Sequence, residues 1–451
     1  MDELTRELAR HGAGALPAPA PDRYLTDFGR LVRRVPRAVV VATGEQQVAG
    51  AFAAARRLGV PVTVRGAGHS CAGQTVSDGL VVANTPDASV VPRLLDDWLV
   101  ELPARSRWRQ VEAFLMARGR SVPVLADYLD LSVGGTLSVG GYGADSVRHG
   151  AQVDQVERLR LVTPDGTSVQ CSPAERGDLF GCALAGLGQV GAIETAVIRT
   201  VPYHPYTVLF TYRHGGLSDL VASLSWLAEF PGDRPLLFKA LHARGRYVTT
   251  YGVPAASFGE ARRARGQPPV PGRHPTSAWI IPRYRQWRSL VVSLWLARFR
   301  GHSRLWSDYI FDYEGLRAFT SFLEPLLTEP PLAGCLKSLY VMAIRKVPRA
   351  VPFPLEATSA IRSPMCFGIG LYSMIPAGEA ALAARVAGAM SRCLARCRDL
   401  GGRPYRYGWH QVDETLERAI YGTDFDRLAA VRRRLDPDGR FRRDPPPSPP
   451  G

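Results

Sequence analysis

Arg65-Gly66-Ala67-Gly68-His69-Ser70 follows directly on the β-branched run 60–64 (VPVTV), and the place of this glycine turn decides how the first third of the chain is read. Upstream, Ala38–Ala42 (AVVVA) reads as a strand. Thr43 then reads as a helix N-cap, with Gln46 three residues later, and a helical pattern runs through Arg57 until Gly59 stops it. Residues 60–64 give a second strand and 79–83 (GLVVA) a third. The unit is therefore β-α-β, with its glycines after the second strand. A nicotinamide Rossmann site sets G-x-G-x-x-G between the first strand and the helix. There this chain has only ATGEQ, with one glycine, which argues against that site.

A second glycine cluster, SVGGTLSVGGYG, covers 132–143. From 131 to 201 the pattern is mostly β. Strands are expected at 156–163, 168–171 and 191–201, with a turn at Pro164-Asp165-Gly166 and a short helix at 180–187. The prolines of 202–205 mark a domain edge. Beyond it the character changes. Strands at 206–212 and 246–251 mix with a helix at 217–230. Residues 252–288, rich in Pro, Gly and Arg, read as a long loop, and 379–400 as an amphipathic helix. The tail from 444 (DPPPSPPG) reads as disordered.

The chain of 451 residues exceeds what one hydrophobic core organises, and 46% hydrophobic with 22% charged residues is ordinary for a globular protein. Residues 1–12 have no apolar core of a secretory signal, and the apolar run 290–297 ends at Arg298, far short of a span. A cytoplasmic protein without membrane segments is expected. The net charge of +15 raises nucleic-acid binding, but the basic residues are spread along the chain and only Lys239, Lys337 and Lys346 are lysines. No nucleic-acid partner is expected. The seven cysteines form no C-x-x-C pair. Cys393 and Cys397 share a helix face with no histidine nearby, so all read as core residues and no metal site is expected.

Both glycine turns suit a buried pyrophosphate, because their backbone N–H groups are reachable and their serines add hydroxyl bonds. Either alone is an ordinary tight turn. Together the wording is more specific: VPVTVRGAGHSCAGQ (60–74), DYLDLSVGGTLSVGGYG (127–143), RHGAQVDQVERLRLVTPDG (148–166), DLFGCALAGLGQVGAIETAVI (178–198), then GGRPYRYGWH (401–410) and RLDPDGRF (434–441). In order and spacing these resemble the FAD-binding, PCMH-type domain of the vanillyl-alcohol oxidase superfamily, most of all its cytokinin-dehydrogenase group. The middle, 204–400, carries little of the resemblance.

The resemblance implies an α+β fold in which a two-part FAD-binding domain is covered by a substrate domain with an antiparallel sheet. Residues 1–203, with a core at about 33–203, and the return at 401–443 would bind FAD, and 204–400 would shape the substrate pocket. His69, in GHS, would bond covalently to the flavin; the alternative is a noncovalent site where it only packs near the ring. No cysteine stands in the second glycine loop, so a single bond is implied. Arg65, Gly66, Ala67, Gly68, Ser70 and Gln74 in the first loop, Ser132, Gly134, Gly135 and Ser138 in the second, Ile193 and Tyr407 would contact the cofactor. Asp127 would be the base that takes a proton from substrate N–H or O–H while hydride leaves the adjacent carbon; the alternative is a turn cap. His149 reads as structural, and His410 as a residue that could approach the ring.

The chain departs from the group at Leu237-Phe238-Lys239-Ala240-Leu241, where Lys239 stands at an acid of the family's substrate strand. A cation there disfavours a neutral purine and favours an alcohol, sugar or secondary-metabolite skeleton as substrate. Cytokinin-like amine oxidation is the competing reading. Oxygen or a quinone-like compound would accept the electrons.

Overall fold

A computed structural model describes residues 2–84, 91–228, 237–243, 245–270 and 272–441. The expected disordered tail falls outside them.

The first β-α-β unit forms where the sequence places it. Ala38–Ala42, Leu80–Asn84 and Val62–Arg65 make a parallel sheet with Leu80–Asn84 in the centre. The helix Glu45–Leu58 packs on it through Val48, Ala51, Phe52 and Ala55, together with the helix Glu3–Arg10. Gly59 ends the helix at φ 64°, as a C-terminal glycine should. The start differs from expectation. Gly44 is the N-cap, and Gln47 reaches back to accept from the Thr43 N–H at 2.7 Å.

The second sheet has five strands, in the order Arg93–Leu94, Leu99–Pro103, Ala192–Arg199, Val156–Val162 and Ser168–Cys171. All its pairings are antiparallel. Between its strands the second glycine cluster is not β: Val133–Leu137 is a short helix with Ser132 at its start. A buried hydrogen bond joins the two sheets, from Asn84 Nδ2 to Glu194 Oε1 at 3.3 Å.

The third sheet is antiparallel throughout and has eight strands: Ser277–Pro282, Tyr206–His214, Arg246–Ala255, Leu237–Ala243, Leu336–Arg345, Met365–Ile375, Ser303–Phe311 and Arg403–Pro404. Side-chain alternation along a strand gives this sheet two apolar faces. Leu339, Val341 and Ala343 pack with Phe319, Leu323, Met390 and Leu394 of the helices Tyr313–Thr328 and Ala380–Asp399. Tyr340, Met342 and Ile344 share a core with the five-stranded sheet. The sheet therefore separates an outer helical layer from the half that carries the glycine turns. The Cys393 and Cys397 thiols lie in the outer core, as expected of small apolar residues.

Residues 252–288 are not a loop. They hold the end of a strand, the helix Phe258–Arg265, the strand Ser277–Pro282 and the start of the helix Tyr284–Ala297. Arginines mask the apolar periodicity of this stretch. Tyr284–Ala297 carries Arg285 and Arg288 on its inner side, and both are engaged in buried ion pairs.

Glu194 gives the join between the first two sheets a pH dependence. Burial raises its carboxyl to about 7, against the opposing pull of Arg105 at 3.5 Å. A raised folded pKa stabilises the native state fully below the ordinary value of 4.5, and that contribution is lost as pH rises through about 7. The thermal unfolding midpoint should fall as pH rises over this window. The Glu194→Gln variant should remove from the slope on the order of 1–3 kcal/mol, read as the difference in unfolding midpoint against pH. An unchanged slope would remove Glu194 as its source.

Candidate functional site

One cavity of about 390 Å³ runs between the two glycine turns, the inner face of the large sheet and the helix Tyr284–Ala297. Its volume is that of a small-molecule or cofactor site. Gly66, Ala67, Gly68, His69, Ser70 and Gln74 line it from the first turn; Ser132, Gly134, Gly135 and Ser138 from the second. Ile193, Asp127 and Tyr407 line it as well. Residues far apart in sequence thus meet around one space.

The turns interlock. The Ala67 N–H donates to Ser132 Oγ at 3.2 Å. A Cβ on Gly66 would lie 2.2 Å from that Oγ, and one on Gly135 would lie 2.8 Å from it. These glycines therefore let the two backbones approach as closely as they do. Gly68 has φ 68°, a left-handed conformation costly for other residues. Ser138 Oγ donates to the Gly134 carbonyl at 2.7 Å.

Gln74 ties the C-terminal return to the first turn. Its Nε2 donates to the carbonyls of Arg406, Tyr407 and Gly408 at 3.1, 3.2 and 3.0 Å, and its Oε1 accepts from the Ala72 N–H at 2.7 Å. Ser70 Oγ donates to Asp27 Oδ2 at 2.8 Å. Asp27 is wholly buried and its carboxyl is raised by that burial to about 6. Arg65 is not part of the lining. Its guanidinium donates to the Arg23 carbonyl at 2.7 Å and to the Thr75 carbonyl at 3.2 Å, which fixes the turn from behind.

His69 is half-buried and stacked on Phe28 with ring centroids 3.7 Å apart. Burial, helped by the nearby Arg304 and Arg107 charges, lowers its pKa to about 3, so the ring is neutral. Its Nε2 has no hydrogen-bond partner. A half-buried imidazole whose Nε2 is enclosed without a partner thus stands at the cavity wall. The glycine cradle, the serine hydroxyls and this orphan nitrogen together fit FAD.

Opposite the turns stand groups from the large sheet. Tyr372 stacks on Trp306 at 3.9 Å, and its hydroxyl meets that of Tyr407 at 2.9 Å. Tyr340 donates to the buried Asp308. Arg288 donates to Asp127 Oδ2 from Nε at 3.2 Å and Nη2 at 3.1 Å. Both side chains are only about a fifth exposed. Arg288 was not picked out by the sequence because it sits where a loop was expected. Its signal is visible in retrospect: Arg288, Val291, Val292 and Trp295 recur at helical spacing and all line the cavity.

Lys239 lies on the strand Leu237–Ala243 opposite Thr250, two residues before cavity-lining Leu241. Its side chain lies outside the described residues. His149 is largely buried, its pKa lowered to about 4 by desolvation, and its carbonyl accepts from Gln155 at 2.6 Å. His410 does not line the cavity; its Nε2 lies 3.0 Å from the Tyr405 carbonyl. Among the described residues no cluster of three or more His, Cys, Asp or Glu could hold a metal.

Residues 36–172 match the FAD binding domain family. An uncharacterized oxidoreductase of the fasciation locus of Rhodococcoides fascians is 39% identical over 193 residues, 42% of this chain and 43% of that protein. Cytokinin dehydrogenase 5 of Oryza sativa subsp. japonica is 34% identical over 278 residues, 57% of this chain and 49% of that one. The chain thus spans about half the length of the curated relatives it matches. Over the full length, the fold is that of the xylooligosaccharide oxidase of Myceliophthora thermophila C1, with TM-score 0.75, 15% identity and 100% of both chains covered. A chitooligosaccharide oxidase gives TM-score 0.73 at 15% identity, again over 100% of both chains. Residues 36–172 are thus an FAD binding domain, set in a fold shared over its whole length with these oligosaccharide oxidases.

The Gly66→Ala variant should keep its fold but hold FAD poorly, because its methyl would displace Ser132. The Kd of the flavin-free variant for added FAD should rise about tenfold over that of the flavin-free parent, equivalent to ~1.4 kcal/mol of binding. An unchanged Kd would mean that the turns can part without loss.

Proposed function

We propose that this protein oxidises a small-molecule C–H bond next to an O–H or N–H, on an alcohol, sugar or secondary-metabolite skeleton, with FAD bound in the cavity. Residues 1–203 and 401–443 would hold the cofactor, and 204–400 would cover it. The observation that carries the reading is the Asp127 carboxylate, paired with Arg288, in the same cavity as the glycine turns and His69.

When bound, FAD supplies the two-electron acceptor that no side chain provides. The turns at 66–70 and 132–138 offer backbone N–H groups and hydroxyls for its pyrophosphate. Neutral His69 carries a ring lone pair, the form able to make a covalent link to the flavin. Asp127 accepts the proton of the substrate O–H or N–H. Arg288 fixes that carboxylate and adds donors beside it. Val291, Val292 and Trp295 exclude water around the pair.

A carboxylate and a guanidinium side by side offer a hydroxyl-rich substrate both an acceptor and several donors. They suit a neutral adenine with an apolar side chain less well. The oligosaccharide oxidases with this fold favour the same direction. Cytokinin-like amine oxidation is the second reading, favoured by identity to cytokinin dehydrogenases. Oxygen or a quinone-like compound would receive the electrons. Anaerobic bleaching of the flavin absorbance against a panel of sugars, alcohols and isoprenoid adenines separates the two. Fast reduction by an isoprenoid adenine alone would establish the second.

Acid-precipitated protein should stay yellow, and its mass should exceed the chain by one FAD; free release of flavin into the supernatant would make His69 a packing residue only. In Asp127→Asn, flavin content should be retained while the rate of flavin reduction falls by about 10²–10⁴, the usual cost of losing a general base. Unchanged stopped-flow reduction would leave Asp127 a structural role.

A further inference from the structure

The helix Tyr284–Ala297 is apolar on both sides. Val291, Val292, Trp295 and Leu296 face the cavity. Trp287, Leu290 and Leu294, at helical spacing on another side, are 41%, 57% and 60% exposed. The edge strand Ser277–Pro282, which leads into the helix, adds Trp279 at 65%. Large side chains exposed together in this way mark a contact surface rather than ordinary surface scatter.

The charge around them is one-sided. Residues 261–307 hold ten arginines and no Asp or Glu. Arg285, Arg288 and Arg304 are engaged within the fold. Arg262, Arg263, Arg265, Arg273, Arg283, Arg298 and Arg300 are exposed. The helix Phe258–Arg265, which carries the first three together with Glu260 in its first turn, packs against the edge strand. The basic residues of the whole chain are spread along it, yet across this one stretch nothing acidic offsets them. A folded protein partner would need a matching apolar patch ringed by acids. A lipid surface rich in anionic headgroups meets both demands at once, because aromatic and leucine side chains enter the headgroup–acyl boundary and arginines pair with the phosphates.

We propose that the face formed by Trp279, Trp287, Leu290 and Leu294 with the flanking arginines docks the protein on the surface of an anionic lipid bilayer. No helix among the described residues is long and apolar enough to cross a membrane, so the contact is peripheral. Docking would hold the helix over the cavity against the lipid, and a lipid-soluble, quinone-like electron acceptor would then enter beside it. The inference rests on surface residues and stands apart from the reaction proposed above.

The test is sedimentation of the flavin-loaded protein with phosphatidylglycerol–phosphatidylcholine vesicles and with phosphatidylcholine vesicles alone, at low and high salt. Binding should be confined to the anionic vesicles and weaken with salt. The triple variant Trp287→Ser, Leu290→Ser, Leu294→Ser should bind at least about tenfold more weakly, equivalent to ~1.4 kcal/mol, with its flavin content and circular dichroism retained. Arg298→Glu with Arg300→Glu should abolish the preference for anionic lipid. No binding of the parent protein, or undiminished binding of the triple variant, overturns the proposal. Light scattering without lipid gives a third result: a parent dimer that the triple variant turns into a monomer would assign the face to a second copy instead.

Discussion

Arg285, its side chain 17% exposed, pairs with the buried Asp145 at 3.1 Å and Glu112 at 3.5 Å, and it also donates to the Val122 carbonyl at 2.9 Å. Burial raises the pKa of both acids, so the arrangement is tolerable only with the guanidinium between them. Removing one partner of such a buried set commonly costs about 3–5 kcal/mol, because the others are left uncompensated. The helix Tyr284–Ala297 is held by this anchor. One turn further on, Arg288 reaches Asp127, and Ser289 Oγ accepts from the Leu129 N–H at 3.1 Å. The Asp127 carboxylate is thus aimed by the same helix that encloses the cavity.

The opposite wall depends on backbone proximity instead of charge. Ser132 stands where Cβ atoms on Gly66 and Gly135 would lie, and its hydroxyl receives the Ala67 N–H. Gln74 then gathers three successive carbonyls of the C-terminal return. Arg403–Pro404, at the start of that return, pairs with Tyr309 and Ile310 of the large sheet. The last segment therefore links the glycine turns and the covering sheet, and Tyr407 enters the cavity at that junction.

The sequence was most legible where backbone chemistry dictates it. The strands at 38–42 and 168–171 and the stop at Gly59 follow from β-branched runs and a left-handed glycine. The cavity-lining positions of the glycine turns follow from the ordered motifs. It was least legible at 252–288, where arginines and prolines hide two strands and two helices. Those arginines are not loop residues: Arg285 and Arg288 are interior cations whose partners lie about 140 to 170 residues earlier in the chain. Pairing at that distance leaves no local pattern to read. The same masking hid Arg288, so that Lys239 was the one cation read into the pocket from the sequence.

The two-sided character of Tyr284–Ala297 follows from that anchoring. A helix bound to its domain by hydrophobic contact alone would keep its apolar residues on one stripe and its charges outside. Here polar groups form much of the inner bond: Arg285 and Arg288 pair with acids, and Ser289 meets a backbone N–H. Apolar residues are then not all needed inward, and Trp287, Leu290 and Leu294 remain outside. Leaving them in water has a hydrophobic cost that packing within the chain does not recover. A surface that covers them recovers it, and the absence of any acid from 261 to 307 sets the sign of charge that such a surface must carry.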